Sequence, residues 1–297
     1  MTPDRILAEP PRVLTQAQRE GYFRDGYLLV ERLIPEDRIA ALRAVTDGFV
    51  ERSRAVAASD EVYDLAPGHG PDRPRVRRLK LPDRIHPLYW DFAQGMIADV
   101  AADLLGPDVL FHHAKLNFKW AGEDAEENAV AWHQDIQFYP HTNYSPLTIG
   151  TYLTDTAEED GPVMVLPGSQ EGPLYELRDA AGAWTGCLRP DEVDALALER
   201  AVGLPGPAGS ITVHNCRTLH ASRPSRTASG RPLLLNAYAA ADALPYTPNP
   251  SASEHDRAVV RGRPARWAVH DPRPCPIPPD WSGGYTSIFA AQAGEDG

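Results

Sequence analysis

Apolar and polar positions follow two periods along this chain, and the switches between them mark its elements. Thr15 stands as a cap before a helical run at 16–24, Gly26 ends that run, and Tyr27-Leu28-Leu29-Val30 reads as a first strand. Pro35-Glu36-Asp37 suits a first helical turn, and Ile39, Leu42, Val45 and Phe49 recur at helical spacing behind it. Residues 87–105 read as a second long helix, carried by Trp90, Phe92, Met96, Ile97 and Val100 and ended by Gly106-Pro107. Residues 109–120 then alternate as a long strand, with His113, Lys115, Asn117 and Lys119 on one parity. Further strands are expected at 147–154, 163–166, 209–215 and 231–239, the last antiparallel to its predecessor through the polar connection 222–230. A turn at 158–162 and Pro167-Gly168 punctuate them.

Between these elements lie a proline-rich arm at 1–13, a loop at 59–75, an acidic loop at 122–128 and a punctuated aromatic stretch at 136–144. Residues 73–80 form the densest basic run, read as a solvated strand edge or else as a hold on an anionic substrate group. The region 170–207 shows one helical patch, at 191–196. The pattern as a whole is mainly β with flanking helices. We expect one domain, with a core at about 14–240 and a C-terminal extension at 241–297 that wraps over it, or else serves as a lid or dimer contact.

Composition narrows the function classes. A formal net charge of -12 disfavours nucleic acid and anionic lipid surfaces as partners. It also gives no general attraction for a polyanionic CoA thioester. No apolar run approaches the length of a membrane span, and Met1-Thr2-Pro3-Asp4-Arg5 leads into no apolar signal region, so a cytoplasmic protein, monomeric or homodimeric, is expected. The three cysteines lack metal-type spacing, and Cys216 reads as a buried packing thiol.

Candidate chemistry centres on Trp132-His133-Gln134-Asp135. On a strand, His133 and Asp135 would share a face and offer an imidazole and a carboxylate to one divalent metal. His-x-Asp alone is common by chance. Far downstream, Cys216-Arg217-Thr218-Leu219-His220 supplies His220 as a third ligand, while His214 reads as a structural histidine. Two histidines and a carboxylate on one octahedral face leave three positions open, as in non-haem Fe(II) oxygenases. Arg231, eleven residues after His220, opens the apolar run 232–238. A guanidinium there is costly unless it meets an anion, and its planar fork suits a carboxylate. Triad plus carboxylate clamp is what a 2-oxoglutarate-dependent oxygenase requires.

Several stretches resemble the phytanoyl-CoA dioxygenase superfamily: 132–135, the turn Glu159-Asp160-Gly161-Pro162, the following 163–169, and His220 with Arg231. The N-terminal 14–16 and 23–30 are similar too, so the likeness runs from about 14 to about 240. It implies a double-stranded β-helix, the jelly-roll or cupin-like core. It implies Fe(II) on His133, Asp135 and His220, with 2-oxoglutarate and O2 as cosubstrates. The cosubstrate would meet Arg231 and Ser222, with His113, Asn117 and Thr148 as further candidates on neighbouring strands. Where the family usually has His after Ser169, this chain has Gln170.

Substrate contacts are expected from the stretch after the triad carboxylate: Gln137 by parity, then Tyr139, His141 and Asn143, together with Lys115. His141 as a fourth ligand would block a position the chemistry needs. The expected reaction is hydroxylation of an unactivated C–H bond of a small metabolite, an amino acid or natural-product intermediate. Desaturation, epimerisation and ring formation use the same ligands. An acyl-CoA hydroxylase and a non-catalytic cupin-like metal-binding or sensor module are the alternatives.

Overall fold

The computed structural model describes residues 1–121, 128–228, 230–281 and 288–293. The expected acidic loop falls largely on 122–127, outside the described residues.

Two antiparallel sheets carry the molecule. The larger runs in the order β1 (Tyr27–Val30), β9 (Ile211–Asn215), β6 (Leu147–Tyr152), β11 (Leu233–Ala240), β4 (Val109–Asn117), β3 (Val76–Lys80), β2 (Tyr63–Leu65), with β12 (Val259–Arg261) also pairing β4. The smaller runs β5 (Val130–His133), β10 (His220–Ser222), β7 (Val163–Val165), β8 (Val202–Gly203). This is the jelly-roll arrangement.

The period-two alternation sorts the larger sheet into two faces. On β11, Leu234, Tyr238 and Ala240 belong to the main core, while Leu233 and Leu235 join a second cluster with Tyr152 and Val165 on the other face. On β9, Ile211 and Val213 pack into the main core, so Thr212 and His214 point the opposite way. Helix α6 (Met96–Leu105) lies on the core side and buries Ile97, Val100, Ala101 and Leu104 there. Helix α3 (Glu36–Arg52) adds Ile39, Leu42 and Phe49, the stripe its spacing predicted; Val45 is only partly buried.

Two expectations change, and two segments gain defined contacts. The long helix over 87–105 is broken into α5 (Pro87–Ala93) and α6, because the chain turns at Gln94-Gly95. Arg261 holds that turn by donating to the carbonyls of Gln94 (2.9 Å) and Gly95 (2.6 Å). The arm at 1–13 docks on the core. It contains α1 (Pro3–Ala8), and the backbone N–H groups of Arg12, Val13 and Leu14 all donate to the buried Asp103 carboxylate at 2.7–2.9 Å. Helix α2 (Gln16–Asp25) follows, with Thr15 and Gln18 forming a capping box and Gly26 ending it at φ +80°.

The basic run is not a solvated edge. Strand β3 lies between β2 and β4, with Arg75 and Arg78 buried. The tail, finally, is built into the fold. It supplies β12, stacks His255 on Trp90 at 3.9 Å, and returns as α8 (Ile288–Ala293) beside β5. Short helices α4 (Pro82–Ile85) and α7 (Pro190–Asp194) complete the described elements, the second near the expected patch. No helix among the described residues is long and apolar enough to cross a membrane.

Candidate metal centre and its cavity

His133 ends β5 and His220 begins β10, and the two are direct partners in the antiparallel register. Cross-strand pairing brings their rings to 4.0 Å between centroids. Asp135 arrives differently from expectation. The strand stops at His133, and Asp135 opens a 3-10 turn through Gln137. Buried Gln134 anchors the bend, donating to the carbonyls of Arg217 (2.8 Å) and Pro173 (3.1 Å). The turn also swings the carboxylate in: Asp135 Oδ1 lies 3.8 Å from His133 Nε2 and 3.7 Å from His220 Nε2. One ligand atom from each of the three residues falls within 4.8 Å of the others.

The hydrogen bonds around the trio fit a cation at its centre. His133 Nδ1 lies 2.9 Å from the Ala131 carbonyl and His220 Nδ1 lies 3.0 Å from that of Thr218. A ring nitrogen facing a carbonyl must donate, so both Nε2 atoms keep bare lone pairs directed at Asp135. Burial pulls His133 down to about 4 and His220 well below the ordinary imidazole value, with the Asp135 charge opposing it in both. Burial alone would raise the Asp135 carboxyl, but the His220 and His214 rings outweigh it and hold it well below the usual range.

The two oxygens of Asp135 have different partners. Oδ1 faces the histidines. Oδ2 accepts from Thr148 Oγ1 at 2.8 Å and lies 3.2 Å from His214 Nε2. Thr148 and His214 sit opposite each other on β6 and β9, so one register places both donors. His214, read from sequence as structural, thus touches the triad carboxylate. Its alternation with Ile211 and Val213 was the available signal.

A cavity of about 60 Å³ opens beside the trio. Arg231, Ser222, Asn117, Lys119 and Thr148 line it, with Val163, Leu233, Leu235, Ile288 and Phe289 as its apolar wall. Arg231 is buried and takes a positive φ of 32° just before β11. Burial lowers its pKa while the Tyr152 and Asp160 charges pull it up. Lys119, which shares the parity of Asn117, is buried beside it and donates to the Arg223 carbonyl. Asn117 Oδ1 is buried with no hydrogen-bond partner among the described residues. A buried guanidinium and an orphaned amide oxygen in one small cavity fit a polar, anionic molecule there.

His113, Lys115 and Tyr139 gather on the other side of Asp135, lining a space of about 20 Å³ with Arg78. A bulge in β4, where the register against β11 shifts at Ala237/Tyr238, puts His112 out of pairing and turns both histidines inward. Tyr139 Oη is 3.3 Å from Thr148 Oγ1.

Three expected substrate contacts lie elsewhere. Gln137 is buried against Gln134 at 3.5 Å, because the 3-10 turn cancels the strand parity that aimed it inward. His141 is buried with Nδ1 2.7 Å from the Tyr139 carbonyl and its ring against His112, one layer behind the cavity. Asn143 donates to Asp242 (3.3 Å) and the Val269 carbonyl (3.1 Å), tying its loop to the tail.

Known proteins resemble this chain. The family model described as phytanoyl-CoA dioxygenase (PhyH) matches residues 22–233. A Stutzerimonas stutzeri protein named "Probable alpha-ketoglutarate-dependent hypophosphite dioxygenase" is 32% identical over 259 residues, covering 84% of this chain and 87% of its own. An L-proline trans-4-hydroxylase of Streptomyces griseoviridis is 28% identical, covering 73% and 83%. The structure of EctD from S. alaskensis with 2-oxoglutarate and 5-hydroxyectoine superposes with a TM-score of 0.64 at 22% identity, over 89% of this chain and 91% of that one. With the family model matched over residues 22–233 and a 32% identical relative covering 84% of its length, the chain belongs to the phytanoyl-CoA dioxygenase family, a family of Fe(II)/2-oxoglutarate-dependent oxygenases.

Proposed function

We propose that this protein is an Fe(II)/2-oxoglutarate-dependent dioxygenase that hydroxylates a small polar substrate. One atom of O2 enters the substrate X–H bond, the other enters succinate, and CO2 leaves. The observation that carries this is the facing of His133 Nε2, His220 Nε2 and Asp135 Oδ1 across a cavity that also holds buried Arg231. Relatives are named as a probable hypophosphite dioxygenase, an ectoine dioxygenase and an L-proline hydroxylase, and all three named substrates are small and polar.

When bound, the iron supplies oxygen activation and the power to break an X–H bond. The chain supplies the rest. His133, Asp135 and His220 would hold the ion through one nitrogen, one oxygen and one nitrogen. Thr148 and His214 fix the Asp135 oxygen that faces away from it. Arg231 would pair the distal carboxylate of 2-oxoglutarate, with Ser222 beside it and Asn117 offering polar contact along its length. Ile288, Phe289, Leu233 and Leu235 exclude water from the same space.

The test is reconstitution with Fe(II), ascorbate and 2-oxoglutarate, following succinate with hypophosphite, ectoine and L-proline as first substrates. Succinate and oxidised product should form in equal amounts with at least one small polar compound. Absence of any succinate, with or without substrate, from protein that has taken up iron would overturn the reading.

A further inference from the structure

Positive charge around the metal centre exceeds what that chemistry uses, and the excess is on one side. The divalent ion, the Asp135 carboxylate, the 2-oxoglutarate dianion and Arg231 together sum to zero. Lys119 is buried beside Arg231 and donates to the Arg223 carbonyl. Arg78 faces the Asp64 carboxylate at 3.8 Å. Lys115 is left over. Its ammonium makes no hydrogen bond or ion pair to a described residue, although it lines the metal cavity and both spaces that open beyond Asp135. A half-buried cation is retained in such a place only at a cost unless an anion meets it.

The shape of those spaces limits the anion. The inner one, between Asp135, Tyr139 and Lys115, measures about 20 Å³, roughly the room that one water needs. The outer one measures about 170 Å³ and shares Arg78, Lys115, Pro250 and Ser251 with it. Lys80 joins the outer wall together with Glu61, so Arg78, Lys80 and Lys115 meet one carboxylate there, a locally basic approach on a protein of net charge -12.

We propose that Lys115 is the anion anchor of the substrate subsite and that the substrate is a compact monoanion of a few heavy atoms. It would enter past Lys80 and Arg78 and stop on the Asp135 side of the metal. The proposal rests on the dioxygenase reading above and narrows its substrate class.

Formate and formamide, equal in size and different in charge, serve as probes. Each is titrated calorimetrically, without oxygen, into protein loaded with Mn(II) and 2-oxoglutarate. Formate should bind saturably, with formamide at least tenfold weaker. Lys115→Met should lose formate binding by tenfold or more, while its 2-oxoglutarate Kd stays within threefold and its melting temperature holds or rises, since a buried charge is removed. Lys115→Arg should keep formate binding. Equal binding of the two probes, or formate binding that survives Lys115→Met, would overturn the proposal. So would a tenfold loss of 2-oxoglutarate affinity in that variant, which would put Lys115 on the cosubstrate. Failure of the parent protein to bind 2-oxoglutarate at all would instead bring down the dioxygenase reading itself, and this subsite with it.

Discussion

At the scale of single residues, the division of labour within Asp135 governs the site. A carboxylate with both oxygens free could rotate and meet the histidines in several ways. Here Oδ2 is engaged by Thr148 and His214, which leaves Oδ1 as the oxygen toward His133 and His220. Removing such an outer partner typically costs about 10–100-fold in metal affinity. His214→Phe keeps a planar aromatic ring and removes the donor, so Fe(II) affinity measured against a competing chelator should fall by that order. Unchanged affinity would mean that Thr148 alone holds the oxygen. Asp135→Ala should abolish iron uptake. Arg231→Ala tests the opposite pole: iron should stay bound while the apparent KM for 2-oxoglutarate rises by about 100-fold, the order expected when a buried charge partner is truncated. An unchanged KM would remove Arg231 from the cosubstrate.

At the scale of elements, what sequence made legible was whatever depends on one period. Parity placed Lys115, Asn117 and Lys119 on the cavity side of β4, and helical spacing placed Ile39, Leu42 and Phe49 in the core. What it missed lies where the period breaks. The 3-10 turn at Asp135 set Gln137 aside, the bulge turned His112 inward, and Gly95 split a helix whose apolar stripe looked continuous. Each break is held by contacts distant in sequence, such as Gln134 to Arg217 or Arg261 to Gly95, which no local window contains. Gly161 marks another such break, at the entrance to β7, which pairs β10 and so supports His220. It takes φ +64°, and a Cβ there would lie 2.2 Å from the Arg223 carbonyl oxygen. That neighbour is backbone and cannot swing aside. Gly161→Ala should therefore destabilise by about 2 kcal/mol or more and lower Tm by roughly 3 °C or more. A variant melting with the parent would show that the turn can shift freely.

At the scale of the whole molecule, the two chain ends close the structure, and they do so through charge. Helix α8 presents Ile288 and Phe289 to the cavity, and Gln292 bonds the Ala131 N–H of β5 at 3.0 Å. The sequence led us to expect a wrap but not its contacts, because those are specified by distant partners. Farther round, Asp99 on α6 joins both ends: Arg12 donates to it at 3.1 Å, and Arg261 at 2.7 and 2.9 Å. The Arg261 hydrogen bond, opposed by partial burial, then the Arg12 hydrogen bond, hold the Asp99 carboxyl below its ordinary 3.8. A carboxyl depressed in the folded state is ionised there when its unfolded counterpart is already taking up protons. Its contribution to stability is thus fully present above about pH 4 and disappears as pH falls through the lower, folded value. Arg261→Met removes most of that depression. Urea midpoints of parent and variant should differ by a constant amount from pH 5 to 8 and converge below pH 4. A gap that persists undiminished at pH 2 would mean that Arg261 acts through its bonds to the Gln94 and Gly95 carbonyls, which do not titrate, and not through Asp99.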